Sequence, residues 1–204
     1  MPTGQINRGS FLGDFLYEEA QKNYNKTFVE IGTWNGQGST WCIAEGLLDS
    51  NRKDYSFYSL EIQKDFYLQA LDFLPEMDNL FLILGKVTDD ILDIDELDDS
   101  HFNAYSRESQ KEWLKNDLNN LEKAPNVLWK MPKQIDLLVL DGSEFQGFQE
   151  WEILAPRSKI VILDDTNTLK FDKVKKIILN NEDKYEIIKH DPNNRQGFLI
   201  YKNK

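Results

Sequence analysis

Phe28-Val29-Glu30-Ile31-Gly32-Thr33-Trp34-Asn35-Gly36-Gln37-Gly38-Ser39 is the stretch on which the fold turns. Thr27–Ile31 is a short β-rich run that ends at Gly32. Beyond Ser39, residues Thr40, Ile43, Ala44, Leu47 and Leu48 recur at helical spacing on one face. A glycine-rich bend (residues 32–39) between a strand and a helix lets the backbone turn sharply and approach a ligand without an intervening Cβ. Glycines also make tight turns with no ligand near them, so the bend alone leaves both readings open. Two acids weigh on the choice. Glu30, two places before the first glycine, points from the strand end toward the loop, where a carboxylate suits a cationic ligand better than a pyrophosphate. Glu61 closes the next strand, where an acid can accept hydrogen bonds from both hydroxyls of a ribose. The plainer alternative for Glu61 is a surface residue opening the next helix.

Outward from this stretch the chain alternates strand and helix patterns. On the N-terminal side, Phe11, Leu12, Phe15, Leu16 and Ala20 form a helical stripe behind Ser10, a suitable N-cap. On the C-terminal side, residues 54–60 predict a strand, 65–74 a helix stopped by Pro75, and 79–84 a strand broken at Gly85. Asp89, Asp90, Asp93, Asp95, Glu96, Asp98 and Asp99 crowd one loop, which lacks the glycine and terminal glutamate of an EF-hand and is expected to be solvated. Arg107–Lys123 predicts a polar helix with Trp113, Leu114, Leu118 and Leu121 inward, lying over the sheet or the site as a partial lid. Ile135–Leu140 and residues 159–163 are uninterrupted apolar runs, as suits strands buried on both faces of a parallel sheet. An amphipathic helix over 171–179 precedes strands at 184–189 and 197–201, whose short connection makes them antiparallel neighbours.

The 204 residues, 40% hydrophobic and without a Pro/Gly/Ser-rich divide, predict one domain over 1–204, with a helical segment at 1–26 and an insertion or lid at 88–132. A net charge of -11 and a pI near 4.7 repel phosphate backbones, so no nucleic-acid partner is expected. Lys173, Lys175 and Lys176 read as the solvated face of a helix. No apolar run reaches the roughly 20 residues of a membrane helix, and the first ten residues lack the layout of a secretory signal. Cys42, the only cysteine, makes no demand on an oxidising compartment and reads as a small core residue; a cytoplasmic location is the default expectation. Of the two histidines, His190 reads as structural, while His101 lies in the insertion.

Glu30-x-Gly32 followed by Gly36-x-Gly38-Ser39, with Glu61 closing the next strand, resembles motifs I and II of the class I S-adenosylmethionine-dependent methyltransferases. The resemblance spans residues 28–201 and implies a doubly wound, Rossmann-like α/β fold. Its sheet would have seven strands, mostly parallel with an antiparallel last strand, and helices on both faces. It further implies S-adenosylmethionine over the strand ends. The amino-acid part would lie near Glu30 and Gly32, the ribose on Glu61 beside Ile62, and the adenine against Gly85, Lys86 and Val87. Thr33, Trp34, Gly36, Gly38, Ser39 and Asp141 complete the implied cofactor site, although core packing explains Trp34 equally well.

A second constellation is Asp141 at the end of the fourth strand with Asp164 and Asp165 at the end of the fifth. Carboxyl ends of parallel strands face the ligand crevice, and clustered carboxylates disfavour one another unless a proton or cation intervenes. Hard oxygen ligands favour Mg²⁺, or else Mn²⁺ or Ca²⁺, over zinc. The arrangement resembles the divalent-metal-dependent O-methyltransferases, including catechol-type, macrolide-sugar and cephalosporin hydroxylase-like relatives, which implies a metal on Asp141, Asp164 and Asp165. The competing reading makes Asp141-Gly142 a turn and the acidic pair a loop cap. Catechol-type relatives carry a lysine base just after the first aspartate, and others a histidine; this chain has Glu144. That residue serves as a base if burial raises its pKa, or equally as a substrate ligand or an exposed turn residue. Pro156-Arg157-Ser158 also replaces the usual Gly-Gly before the fifth strand. The expectation is methyl transfer to a hydroxyl oxygen of a small molecule, a sugar or phenol, with Asp141 and Glu144 at the chemistry. The acceptor would be shaped by the N-terminal segment, residues 89–132 and residues 146–151, and a homodimer is left open. The alternatives are a nicotinamide-dependent oxidoreductase and a non-catalytic protein retaining the fold.

Overall fold

The strand that carries Glu30 lies at the middle of the sheet. In the computed structural model, which describes residues 5–102 and 104–204, β1 (Thr27–Ile31) pairs in parallel with β2 (Ser56–Glu61) on one side and β4 (Ile135–Leu140) on the other. The first four residues of the expected N-terminal segment and residue 103 of the expected insertion lie outside the described residues. With β3 (Leu80–Leu84), β5 (Ser158–Asp164), β6 (Tyr185–Asp191) and β7 (Phe198–Asn203), the seven strands run in the order β3-β2-β1-β4-β5-β7-β6. β7 is antiparallel to both its neighbours, so the fold class and the terminal hairpin are as the sequence predicts.

Period-two alternation sends each strand's side chains to opposite faces, and both faces are covered. Phe28, Phe57, Leu137, Val139, Ile160 and Ile162 meet α1 (Phe11–Gln21) and α2 (Ser39–Asp49) through Leu12, Leu16, Cys42, Ile43 and Leu47. Val29, Ile31, Leu138, Leu140, Val161 and Leu163 meet α5 (Gly147–Leu154) and α6 (Asp172–Leu179) through Leu154, Val174 and Ile178. α3 (Lys64–Phe73) buries Ala70 against Ala44 of α2. Ser10 caps α1 as expected, its hydroxyl accepting from the Gly13 amide at 3.1 Å. Lys173 and Lys176 are exposed, as a solvated helix face requires, whereas Lys175 is largely covered and pairs with Asp172 and the Asn167 side chain. No helix among the described residues is long and apolar enough to cross a membrane.

Two helical faces depart from the sequence pattern. Leu48 is 45% exposed, because α2 buries Thr40, Cys42, Ile43, Ala44 and Leu47 and turns Leu48 away from them. α4 (Arg107–Lys123) starts and ends where predicted but does not bury its apolar stripe. Gln110 and Leu121 are buried, whereas Trp113 and Leu118 are exposed and Leu114 is intermediate. The helix touches the domain through one edge, and Trp113 faces a cleft rather than a core.

Candidate active site

The parallel strands end along one rim, and the order β3-β2-β1-β4-β5 puts the switch point of the winding between β1 and β4. Ligands of open α/β sheets bind at such a point. Here Gly32 takes φ +99°, and a Cβ on it would stand 2.3 Å from the carbonyl oxygen of Asp141. Only glycine permits that approach, so the loop after β1 rests directly on the end of β4. The amides of Gly32 and Thr33 both donate to the Leu60 carbonyl, which ties the same loop to β2. Gly36, at φ +80°, passes under Leu74.

Glu30 is fully buried beneath this loop, where its Oε2 accepts hydroxyl hydrogen bonds from Thr40 and Ser59, each at 2.6 Å. Its Oε1 has no partner among the described residues, and burial pushes the carboxyl up to about 7. Glu61 accepts from the Trp34 amide at 2.7 Å and the Gln63 amide at 2.9 Å, and burial raises it to about 7 as well. Its carboxylate lies in a cleft of about 350 Å³ bordered by Gly32, Trp34, Ile62, Gly85, Trp113, Asp117, Asp141, Glu144, Glu150 and Lys170. A second hollow of about 280 Å³ opens on the other side of the loop, against Thr33, Gly38 and Ser39, and Gly32, Trp34 and Asp141 line both. Most of the expected cofactor residues therefore converge. Lys86 and Val87 do not: the Lys86 ammonium is held by the Leu121 carbonyl and by Asp89 at 2.9 Å, and Val87 is in the core.

The carboxylates of Asp141, Asp164 and Asp165 offer oxygens within 4.8 Å of one another. Asp164 is buried; burial first, then Asp141 and Asp165, raise it to about 7. Asp165 sits at φ +57°, a left-handed conformation that aspartate tolerates better than most residues. Glu144 bridges the two strand ends, accepting from the Thr168 hydroxyl at 3.1 Å and the Lys170 amide at 3.3 Å, with burial raising its pKa.

Sequence reasoning missed Lys170. Its side chain is almost wholly buried, and its ammonium donates to Asp141 Oδ1 at 2.9 Å and Asp165 Oδ2 at 3.1 Å. Burial would depress this lysine, but Asp141, Asp165 and Glu144 outweigh it and hold the ammonium charged. The one available signal was arithmetic: acids gathered at two strand ends need a cation from somewhere. Asp117 and Glu150 were also missed as wall residues. Asp117 reaches from α4 to accept from the Ser143 hydroxyl at 2.6 Å. Glu150 is 1% exposed, with Oε2 unpartnered among the described residues and its pKa raised by burial to about 8. It fits because Gly142 has no side chain: a Cβ there would lie 3.3 Å from that oxygen.

The trio has the donor chemistry that Mg²⁺ takes, yet as arranged it does not fit the ion. Mg²⁺ needs its oxygens at about 2.0–2.1 Å in near-octahedral geometry. Here two of the three carboxylates already carry the hydrogen bonds of a buried ammonium. A dication on the same groups would face that positive charge at close range.

No protein-family model matches the chain, and no curated protein matches its sequence. Solved structures do resemble it. An O-methyltransferase from Bacillus cereus, determined in complex with SAH, superposes with a TM-score of 0.62 at 14% identity, over 100% of this chain and 84% of its own. A candidate O-methyltransferase from Klebsiella pneumoniae gives 0.62 at 14% identity over 100% and 84%. A methyltransferase from Geobacter sulfurreducens gives 0.58 at 14% identity over 97% and 79%. The chain has the Rossmann-like fold of the class I methyltransferases, with its cleft at the carboxyl ends of that sheet.

Proposed function

We propose that the protein transfers a methyl group from S-adenosylmethionine to a hydroxyl oxygen of a small molecule. The observation that carries this reading is the cleft itself. Glu61, Asp117, Asp141, Glu144 and Glu150 line it, and Lys170, its one lysine or arginine, is already paired. A sulfonium nucleoside without phosphates suits such walls; the pyrophosphate of a nicotinamide dinucleotide is repelled by them. The fold of the compared methyltransferases supports the same reading.

Bound there, the cofactor supplies an electrophilic methyl on a positively charged sulfur. Glu61 would accept from the ribose hydroxyls, Ile62 and Gly85 would hold the adenine, and Trp113 and Asp117 of α4 would cover it. Gly32 and Trp34, which border both hollows, would hold the methionyl part. Asp141, which borders both, stands where the acceptor hydroxyl arrives. Asp141 or Glu144 would take the proton of the acceptor hydroxyl as its oxygen takes the methyl. Burial raises the pKa of both, which makes each a better proton acceptor than an exposed carboxylate. Alignment alone supplies several kcal/mol, about 7–11 at the upper end. A divalent ion on Asp141, Asp164 and Asp165 would require Lys170 to withdraw, and no step here is routed through one.

Calorimetric titration with S-adenosylmethionine and, separately, NAD tests the reading, followed by transfer of labelled methyl to a panel of sugars and phenols. Saturable S-adenosylmethionine binding and labelled ether are expected. Binding of NAD alone would overturn the assignment, and S-adenosylmethionine binding with no transfer to any hydroxyl would remove the acceptor class.

A further inference from the structure

The carboxylates at the ends of β4 and β5 carry more negative charge than water-poor surroundings tolerate, and an isolated buried charge is costly unless paired. The chain answers this with a residue of its own. Lys170 reaches back from just before α6 so that its ammonium touches Asp141 and Asp165. The reach is fixed at both ends. The Lys170 amide donates to Glu144, and its side chain lies across Gly147, where a Cβ would stand 2.8 Å from the lysine's own Cγ. The Lys170 stem thus runs over a glycine that makes room for it, and Thr168 holds the turn by bonding Glu144 at 3.1 Å.

We propose that Lys170 is the built-in cation of this site. Its ammonium occupies the point between Asp141 and Asp165 that a divalent ion would need, so the trio takes up no such ion while Lys170 is present. Lys170 is then a positioning residue, which neutralises Asp141 and fixes its carboxylate at the meeting of the two hollows. The inference concerns the chain without cofactor or acceptor, and it stands whether or not the methyl-transfer reading does.

Mn²⁺ titration followed by electron paramagnetic resonance reads the site directly, with circular dichroism as the check on folding. The wild type, Lys170→Arg and Asp164→Asn are expected to show the same absence of saturable Mn²⁺ binding. Lys170→Met, which removes the charge and keeps much of the stem, should gain a saturable Mn²⁺ site that the wild type lacks, since a unit positive charge a few ångströms away opposes a dication. Saturable Mn²⁺ binding by the wild type that is lost in Asp164→Asn would overturn the proposal. So would a folded Lys170→Met protein that binds no Mn²⁺. Should Lys170→Met fail to fold, the wild type and Asp164→Asn decide between them. Calorimetry with S-adenosylmethionine on the same samples is read separately, so failure of the methyl-transfer reading leaves the metal comparison intact.

Discussion

Two halves of the same rim treat their carboxylates differently. At the ends of β1 and β2, Glu30 is met by the hydroxyls of Thr40 and Ser59, and Glu61 by the amides of Trp34 and Gln63. Every one of those donors lies in the strand–loop–helix units themselves. At the ends of β4 and β5, Asp141, Asp164, Asp165 and Glu144 gather around one ammonium that arrives from beyond the fifth strand, and Glu150 Oε2 has no hydrogen-bond partner among the described residues. Neutral dipoles orient an acid without fixing its charge, which leaves Glu61 free to accept a ligand's hydroxyls. A single shared cation makes its acids interdependent, so disturbing one disturbs the rest.

The sharpest break of this contrast is Asp141→Asn. It removes both a proton acceptor and the anchor of Lys170, and is expected to lower methyl transfer by about 100-fold or more. Affinity for S-adenosylmethionine, measured by calorimetry, should stay within about two-fold; a matching collapse of affinity would show that the two halves are not separable.

Gly32→Ala strikes the joint between them. The added Cβ collides with the Asp141 carbonyl and the left-handed backbone is strained, so a loss of roughly 3 kcal/mol in denaturant unfolding is expected. An unchanged midpoint would mean that the loop does not rest on β4.

Glu150 exposes the uncompensated half through pH. Its folded pKa, raised to about 8, lies above its unfolded value of 4.5, so the folded chain binds the extra proton between those limits. Stability from this group is complete below pH 4.5 and is lost as pH rises through 8. Between pH 6 and pH 8 the wild type should therefore lose stability, and Glu150→Gln should shrink that loss by about 2 kcal/mol. Parallel pH profiles for the two proteins would contradict the buried, unpaired carboxyl.

Glu61→Gln is the mildest. It keeps the shape but loses the charge that accepts from the ribose, and about ten-fold weaker S-adenosylmethionine binding is expected, with turnover at saturation little changed.

The half of the rim at β1 and β2 was legible because its information is local. Glu30, the glycine bend and Glu61 lie within two strand–helix steps, and each has a physical reason to be where it is. The helix over Arg107–Lys123 was legible in extent but not in facing: its polar surface left the apolar positions no power to choose a side, and the cleft took Trp113. Lys170 was illegible because nothing around it in sequence marks it. Its role comes from a 29-residue span to Asp141 that only the packing of α6 closes. Lys86 and Val87 lie apart from the cleft for a related reason. They follow the right strand, but α4 and Asp89 claim the first and the core claims the second.

The antiparallel seat of β7 has a consequence for how the molecule comes into being. β5 is flanked on its outer side by residues Phe198–Asn203, and the turn that carries Asp165 is clamped to the two residues just before that strand, the amides of Thr166 and Asn167 donating to the carbonyls of Gly197 and Gln196. During synthesis, the glycine bend and its acids can assemble from short-range pairings long before that last strand emerges. The turn that carries Asp165 gains its two bonds to Gly197 and Gln196 only once that part of the chain has been made. A ribosome-bound chain thus completes the rim beside β1 and β2 before the rim beside β5.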